Sequence, residues 1–149
     1  MRGRKSWNAN GAGGNGQRNI RTDIGLLVLR IGVSAFMLFA HGADKLVNFS
    51  KYAAQFPDPL GLGSTVTLIL AVFAEFFCSL AIGFGFLTRL AAIPPAITML
   101  VAAFIIHSAD PWAKQEFALL YFIVYLTILV AGPGYYSIDR LWFNKPNGK

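Results

Sequence analysis

Four long apolar stretches follow one another along the chain, separated by shorter polar connections. They run from about residue 24 to 46, from about 66 to 87, from about 90 to 106 and from about 117 to 131. Each is continuous, which favours helices over the alternating strands of a membrane β-barrel. A helix needs about 20 residues to cross a hydrocarbon core of about 30 Å. The pattern therefore predicts an all-α fold, a transmembrane four-helix bundle.

The pattern divides the chain into three parts. Residues 1–23 are rich in Gly, Asn and Arg and have no helical periodicity, so we expect a disordered basic tail. Residues 24–140 form the predicted membrane domain, and residues 141–149 form a second tail. The connection over 47–63 contains prolines and glycines and is predicted to be a loop with a short re-entrant or interfacial piece.

Composition agrees with a membrane location. Apolar residues make up 55% of the chain and charged residues 13%, whereas a soluble domain has about 25% charged residues. The single cysteine, Cys78, excludes a disulfide framework, a CxxC redox pair and a Cys-rich metal site. A lipid bilayer is the expected environment, and we assign no metal ligands.

The net charge of +6 is concentrated outside the apolar stretches. Eight of the thirteen Lys and Arg residues lie before the first apolar stretch or after the last one, and Arg89 lies in the tight second connection. Basic residues that flank hydrophobic spans are typical of topology signals, not of a nucleic-acid surface. With four spans, this bias predicts that both termini are cytoplasmic.

Two charged residues lie inside the predicted spans. Arg30 is in the first span and Glu75 is near the middle of the second. A charge at such a depth costs at least about 2.5–3.5 kcal/mol, so it usually has a partner. We expect an Arg30–Glu75 pair, which is either a structural ion pair that fixes two helices in register or part of a ligand or proton site.

Polar residues also share one face of the first span. His41 follows Arg30 by 11 residues, which at about 100° per residue returns to within about 20° of the same direction. Ser34 and Asp44 belong to the same stripe, and Lys45 lies beside it. Because such a stripe is costly in lipid, it is expected to face the inside of the bundle.

The outer ends of the spans bring together a second group. His41, His107 and Glu116 are expected at one membrane level, since alternate helices run in opposite directions. His and Glu side chains suit proton exchange at a quinone head group, or metal binding. The alternative is that they are interface residues bonded to loop carbonyls.

The motifs in this order resemble the DoxX family of small bacterial four-span membrane proteins, over about residues 24–140. They are Leu29-Arg30-Ile31 and His41-Gly42 in the first span, Glu75 in the second, GFLTRLAA over 85–92, EFALLY over 116–121 and GPGYYSID over 132–139. The resemblance implies that the family's recurrent polar positions fall on Arg30, His41, Lys45, Glu75, Arg89, His107 and Glu116. Relatives include the DoxD-like subunit of an archaeal thiosulfate:quinone oxidoreductase and proteins linked to membrane oxidoreductases that handle thiols and oxidative stress.

The expected function is a membrane subunit of a quinone-linked or thiol- and sulfur-related oxidoreductase system in the bacterial cytoplasmic membrane. His41, His107 and Glu116 are the candidate catalytic residues, and Arg30, Lys45 and Glu75 are the candidate cofactor-binding residues. Quinone is the candidate cofactor, and a partner oxidoreductase subunit is expected to carry the electron donor. Two alternatives stay open, a non-catalytic anchor or assembly subunit and a conduit for protons or a small solute, and so does the oligomeric state.

Overall fold

The computed structural model describes residues 19–143, apart from the side chain of Phe143. Within that part of the chain every regular element is helical. Four helices are long and apolar enough to cross a membrane: α1 (Ile20–Val47), α3 (Ser64–Phe84), α4 (Thr88–Ile106) and α5 (Trp112–Ala131). Two short helices, α2 (Phe49–Tyr52) and α6 (Ile138–Phe143), lie in the connections. The predicted all-α four-helix fold is confirmed.

The first and last long helices extend beyond their apolar stretches. α1 begins at Ile20 because Asn19 caps it, with its side-chain oxygen accepting from the amide of Arg21 at 3.1 Å. Residues 20–23 of the predicted 1–23 tail are therefore helical, and residues 141–143 of the predicted 141–149 tail belong to α6. The rest of the two predicted tails, residues 1–18 and 144–149, lies outside the described residues.

Neighbouring helices pack in antiparallel pairs. α1 packs against α3, and α4 packs against both α3 and α5. Residues such as Met37, Ile82 and Tyr125 fill the space between them and are fully buried. The α3–α4 hairpin is tight because Gly85 takes a left-handed conformation at φ 73°. The N-terminus of α1, the α3–α4 hairpin and α6 consequently meet at one end of the bundle.

Three of the long helices contain a π-helical segment. These segments are Leu38–Gly42 in α1, Phe73–Cys78 in α3 and Ala102–Ile106 in α4. A π turn adds a residue per turn, so side chains beyond it change direction, and such turns are frequent at functional sites. The first two segments contact each other at Gly42, where an added Cβ atom would lie 2.7 Å from the carbonyl oxygen of Glu75. Glycine at this position therefore allows α1 and α3 to approach closely.

Candidate functional site

A cavity of about 330 Å³ lies at the end of the bundle opposite α6 and the start of α1. Its walls come from the C-terminal halves of α1 and α4, the N-terminal halves of α3 and α5, and the loop that precedes α3. Most of the lining is apolar, and its polar side chains include those of His41, Lys45, Thr67, Glu75, Thr98, His107, Lys114 and Tyr121. Four of the six residues predicted from the sequence therefore share one cavity.

Lys45 and Glu75 form an ion pair in this cavity. The Lys45 Nζ atom lies 2.5 Å from Glu75 Oε2, and the two side chains are 18% and 7% exposed. Glu75 is in the π segment of α3, where the close contact at Gly42 brings α1 against it. The predicted partner of Glu75 was therefore wrong, because Lys45 takes the place expected for Arg30.

Arg30 instead binds backbone carbonyls at the opposite end of the bundle. Its guanidinium donates to the carbonyl oxygens of Ile82 at 3.1 Å and Gly83 at 3.4 Å, at the C-terminal end of α3. It also donates to those of Pro133 and Tyr136, the latter at 2.9 Å. A cation close to the carbonyls of a helix C-terminus is stabilising. Arg30 therefore ties three segments together and does not line the cavity, although it was predicted to bind the cofactor.

The two histidines lie on different walls of the cavity. The His41 and Tyr121 rings are nearly perpendicular, with centroids 6.3 Å apart. His107 Nδ1 lies 2.7 Å from Asp110 Oδ2, and that oxygen also accepts from Lys114 at 3.3 Å. These hydrogen bonds, first that of His107 and then that of Lys114, hold the pKa of Asp110 below its ordinary value. With Nδ1 engaged, Nε2 is the nitrogen of His107 that is available to a molecule in the cavity.

Other sequence-predicted residues lie apart from the cavity. Glu116 is exposed and is not part of the lining. Asp44 is exposed and accepts hydrogen bonds from Asn48 at 2.7 Å and Tyr52 at 2.8 Å. Arg89 is at the opposite end of the bundle. The polar stripe of α1 thus faces inward at Arg30 and Ser34 and lines the cavity at His41, whereas Asp44 turns outward.

Sequence reasoning missed Asp58, which holds the loop over the cavity. One carboxylate oxygen accepts from the Leu62 amide at 2.9 Å and the Thr67 hydroxyl at 2.8 Å, and the other accepts from the Gly63 amide at 2.7 Å. The loop places Pro57, Pro59, Leu60 and Leu62 against the cavity. An aspartate just before Gly-rich residues and a helix start is a capping signal, and it was the clue available in the sequence.

Replacing Asp58 with alanine is expected to loosen this loop. The Thr67 hydroxyl bond, followed by the Gly63 amide bond, lowers the pKa of Asp58. The pKa of Asp58 is lower in the folded protein than in the unfolded chain. The ionised carboxylate therefore contributes its full stabilisation at neutral pH, and this stabilisation is lost as the pH falls through the lowered pKa. Hydrogen exchange at neutral pH is expected to show faster exchange at the Leu62 and Gly63 amides in Asp58→Ala. Asp44→Ala is the control, and equal exchange in both variants would contradict the role of Asp58.

Comparisons with known proteins agree with this architecture. A family model described as DoxX matches residues 25–108. The inner membrane protein YqjF of Escherichia coli (strain K12) is 33% identical over 123 residues, which covers 80% of this chain and 92% of that protein. An uncharacterized protein of Haemophilus influenzae is 31% identical over 127 residues, with the same shares of the two chains covered. No solved structure matches the chain.

Proposed function

Because this chain belongs to the DoxX family of integral membrane proteins, we propose that it is the membrane subunit of an oxidoreductase system and binds a quinone-type molecule in the α1–α3–α4–α5 cavity. One observation carries the proposal. The cavity is mainly apolar and about 330 Å³ in volume, yet it contains two histidines and an ion pair of low exposure.

The cavity suits such a molecule in size and chemistry. Sites for small molecules are mostly apolar, with a few placed polar groups, and have volumes of about 300–1,000 Å³. Leu70, Ile97 and Phe117 provide apolar surface for a ring and the start of a tail. His41 and His107 provide hydrogen-bonding nitrogens for ring oxygens on two walls. The volume fits one head group, and a longer tail would extend from the cavity into lipid.

Proton supply and charge compensation are the chemistry that this chain contributes. A quinone, when bound, takes up two electrons and two protons. His107 is positioned to hold or release a proton at Nε2, because Asp110 engages Nδ1. The Lys45 ammonium offsets negative charge in the cavity, and Glu75 fixes its position through the 2.5 Å contact. Glu116 belongs to the proposal only as an exposed carboxylate at the same end of α5.

The proposal requires a partner that supplies electrons. The chain has one cysteine, Cys78, which is buried. A thiol–disulfide couple needs two thiols, so the chain by itself lacks one. We therefore propose a partner oxidoreductase subunit that carries the electron donor and delivers electrons to the cavity.

Quinone binding is expected to depend on the two histidines. In detergent, calorimetric titration with a short-chain benzoquinone is expected to show binding to the unmodified protein. Binding is expected to be at least about tenfold weaker in His41→Leu and in His107→Leu, since each loses a hydrogen bond to a quinone oxygen. Thr127→Val is the control, because Thr127 is exposed on α5 and bonds to Ile123 of its own helix. Unchanged affinity in both histidine variants, or no binding by the unmodified protein, would contradict the proposal.

A non-catalytic anchor is the second candidate. It is favoured by the buried Arg30, all of whose observed hydrogen bonds serve packing between segments of this chain. If a soluble oxidoreductase co-purifies and keeps its activity with His107→Ala and Glu116→Ala, the protein acts as an anchor. If that activity falls with His107→Ala, the cavity takes part in the reaction.

The orientation of the chain is also a proposal. Its relative in Escherichia coli is named an inner membrane protein, and the four apolar helices suit a multi-pass protein of the bacterial inner membrane. The excess of Lys and Arg in the tails supports cytoplasmic termini. The cavity would then open toward the outer face. Reporter fusions at both ends are expected to report a cytoplasmic location, and a periplasmic signal from either end would contradict this orientation.

A further inference from the structure

A second cavity, of about 450 Å³, lies at the end of the bundle that carries Arg30. It is formed where the α3–α4 hairpin meets the segment between α5 and α6. Its charged lining residues are Arg89, Arg140 and Asp139. Two guanidinium groups thus share one opening with one carboxylate.

The Arg89 side chain is exposed and makes two contacts at the edge of this cavity. Its Nη2 donates to the Val130 carbonyl at 3.2 Å. The guanidinium also packs on Gly132, where an added Cβ would lie 2.9 Å from Arg89 Nε. A guanidinium has five N–H donors, and the Val130 bond uses one. The group therefore has further N–H donors for an acceptor in the cavity.

Arg140 is positioned by an aromatic ring and Asp139 by backbone amides. The Arg140 Cζ atom lies 4.1 Å from the centre of the Tyr135 ring, a cation–π contact. The Asp139 carboxylate accepts from the amides of Leu87 at 2.6 Å and Thr88 at 2.8 Å and so caps α4. The amide bonds fix the carboxylate but leave its charge in place, so two guanidinium groups and one carboxylate give the lining of the cavity one net positive charge.

The surroundings of the cavity are apolar. Leu87 and Leu90 line it and are exposed, and Leu141 and Trp142 of α6 are exposed close by in the sequence. α4 begins at Thr88, so the cavity lies where a membrane-crossing helix emerges from lipid. Tryptophan is enriched at this depth. An occupant of this cavity therefore meets positive charge and hydrocarbon at the same place.

We propose that this cavity binds the phosphate group of an anionic phospholipid, with Arg89 and Arg140 as the phosphate ligands. Arginine matches the geometry of phosphate oxygens through paired N–H donors. Basic pockets between membrane helices at the interface bind acidic head groups. The exposed leucines are positioned to contact the acyl chains, which a soluble phosphate ion lacks.

Lipid affinity in detergent tests this proposal. Each basic residue near an anionic membrane surface contributes about 1 kcal/mol, which is about fivefold in affinity. Phosphatidylglycerol is expected to bind the unmodified protein and to raise its melting temperature, whereas phosphatidylcholine has little effect. Arg89→Gln is expected to weaken phosphatidylglycerol binding about fivefold, and Arg89→Gln with Arg140→Gln about 30-fold.

Arg21→Gln is the matched control for loss of charge. Arg21 is exposed near the start of α1, at the same end of the bundle, and does not line the cavity. It is expected to keep the response to phosphatidylglycerol. Equal weakening in Arg21→Gln and Arg89→Gln would indicate general charge attraction and would overturn the site.

Two further measurements distinguish a lipid from a free phosphate ion, and paired N–H donors from charge alone. Inorganic phosphate alone is expected to leave the melting temperature unchanged, and stabilisation equal to that by phosphatidylglycerol would overturn the lipid assignment. Arg89→Lys with Arg140→Lys keeps the charge and removes the paired donors, so it is expected to retain part of the binding that the double Gln variant loses. Quinone binding is expected to be the same in all these variants, because the two cavities lie at opposite ends of the bundle.

Discussion

Arg30→Leu is expected to lower the free energy of unfolding by about 4 kcal/mol or more, because a buried carbonyl left without a donor costs about 1–3 kcal/mol. The Arg30 side chain donates to four carbonyl groups, of Ile82, Gly83, Pro133 and Tyr136. Of these, the Ile82 carbonyl keeps a second donor, the Gly85 amide at 3.0 Å. Arg30 is 1% exposed, so water does not readily replace it. Unfolding of the purified protein in mixed micelles, followed by circular dichroism, measures the change.

Two further variants test whether the loss of stability comes from the hydrogen bonds of Arg30. Arg30→Lys keeps the charge but presents three donors on one nitrogen, so it is expected to recover only part of the lost stability. Arg21→Leu removes an exposed arginine from the same helix and is expected to change stability by less than about 0.5 kcal/mol. If Arg30→Leu were as mild as Arg21→Leu, the carbonyl network would not be what holds α1 against α3 and the 132–137 segment.

The second large effect concerns the ion pair in the cavity. Glu75→Leu is expected to cost about 3 kcal/mol or more, because it leaves the Lys45 ammonium in a largely apolar cavity. Lys45→Met is expected to cost a similar amount, since Glu75 is only 7% exposed. The double variant, Lys45→Met with Glu75→Leu, is expected to be milder than the sum of the two. The same unfolding measurement, arranged as a double-mutant cycle, gives the coupling energy.

The exposed pair of Lys114 and Asp110 is the natural control. Its atoms lie 3.3 Å apart, and the two side chains are 60% and 35% exposed. An exposed pair contributes about 0–1 kcal/mol, so its cycle is expected to show weak coupling. A second cycle between Arg30 and Glu75 tests the pairing expected from the sequence. Stronger coupling there than between Lys45 and Glu75 would reverse the assignment made from the structure.

The inward direction of the polar groups was predictable from the sequence. A charged side chain in lipid is costly, so a stripe on one helix face must turn toward other helices. Arg30, Ser34 and His41 follow this rule, and His41 and His107 line one cavity. Asp44 and Glu116, which were expected in the same two groups, are exposed. The argument needs only the period of the helix and the thickness of the bilayer.

The identity of the partners was not predictable in the same way. Arg30 and Lys45 lie on the same helix, and both are within reach of the helix that carries Glu75. The close contact at Gly42 and the π segments of α1 and α3 decide that Lys45 reaches the carboxylate. The carbonyls that bind Arg30 come from two distant parts of the chain. Every residue has a backbone carbonyl, so the pattern of side chains does not predict which carbonyls accept these bonds.

The lengths of the apolar stretches thus determined four membrane-crossing helices and their order, because a span in lipid must satisfy its backbone hydrogen bonds internally. The cost of a charge in lipid determined that Arg30 and Glu75 are buried. The tertiary structure decided which charge meets which group, which polar residues form a cavity, and that Asp58 secures the loop beside it. These outcomes depend on how the helices are shifted and rotated against one another. Such shifts are set by the π turns, by Gly42 and by the packing of side chains. The hydrophobic pattern predicts none of these features.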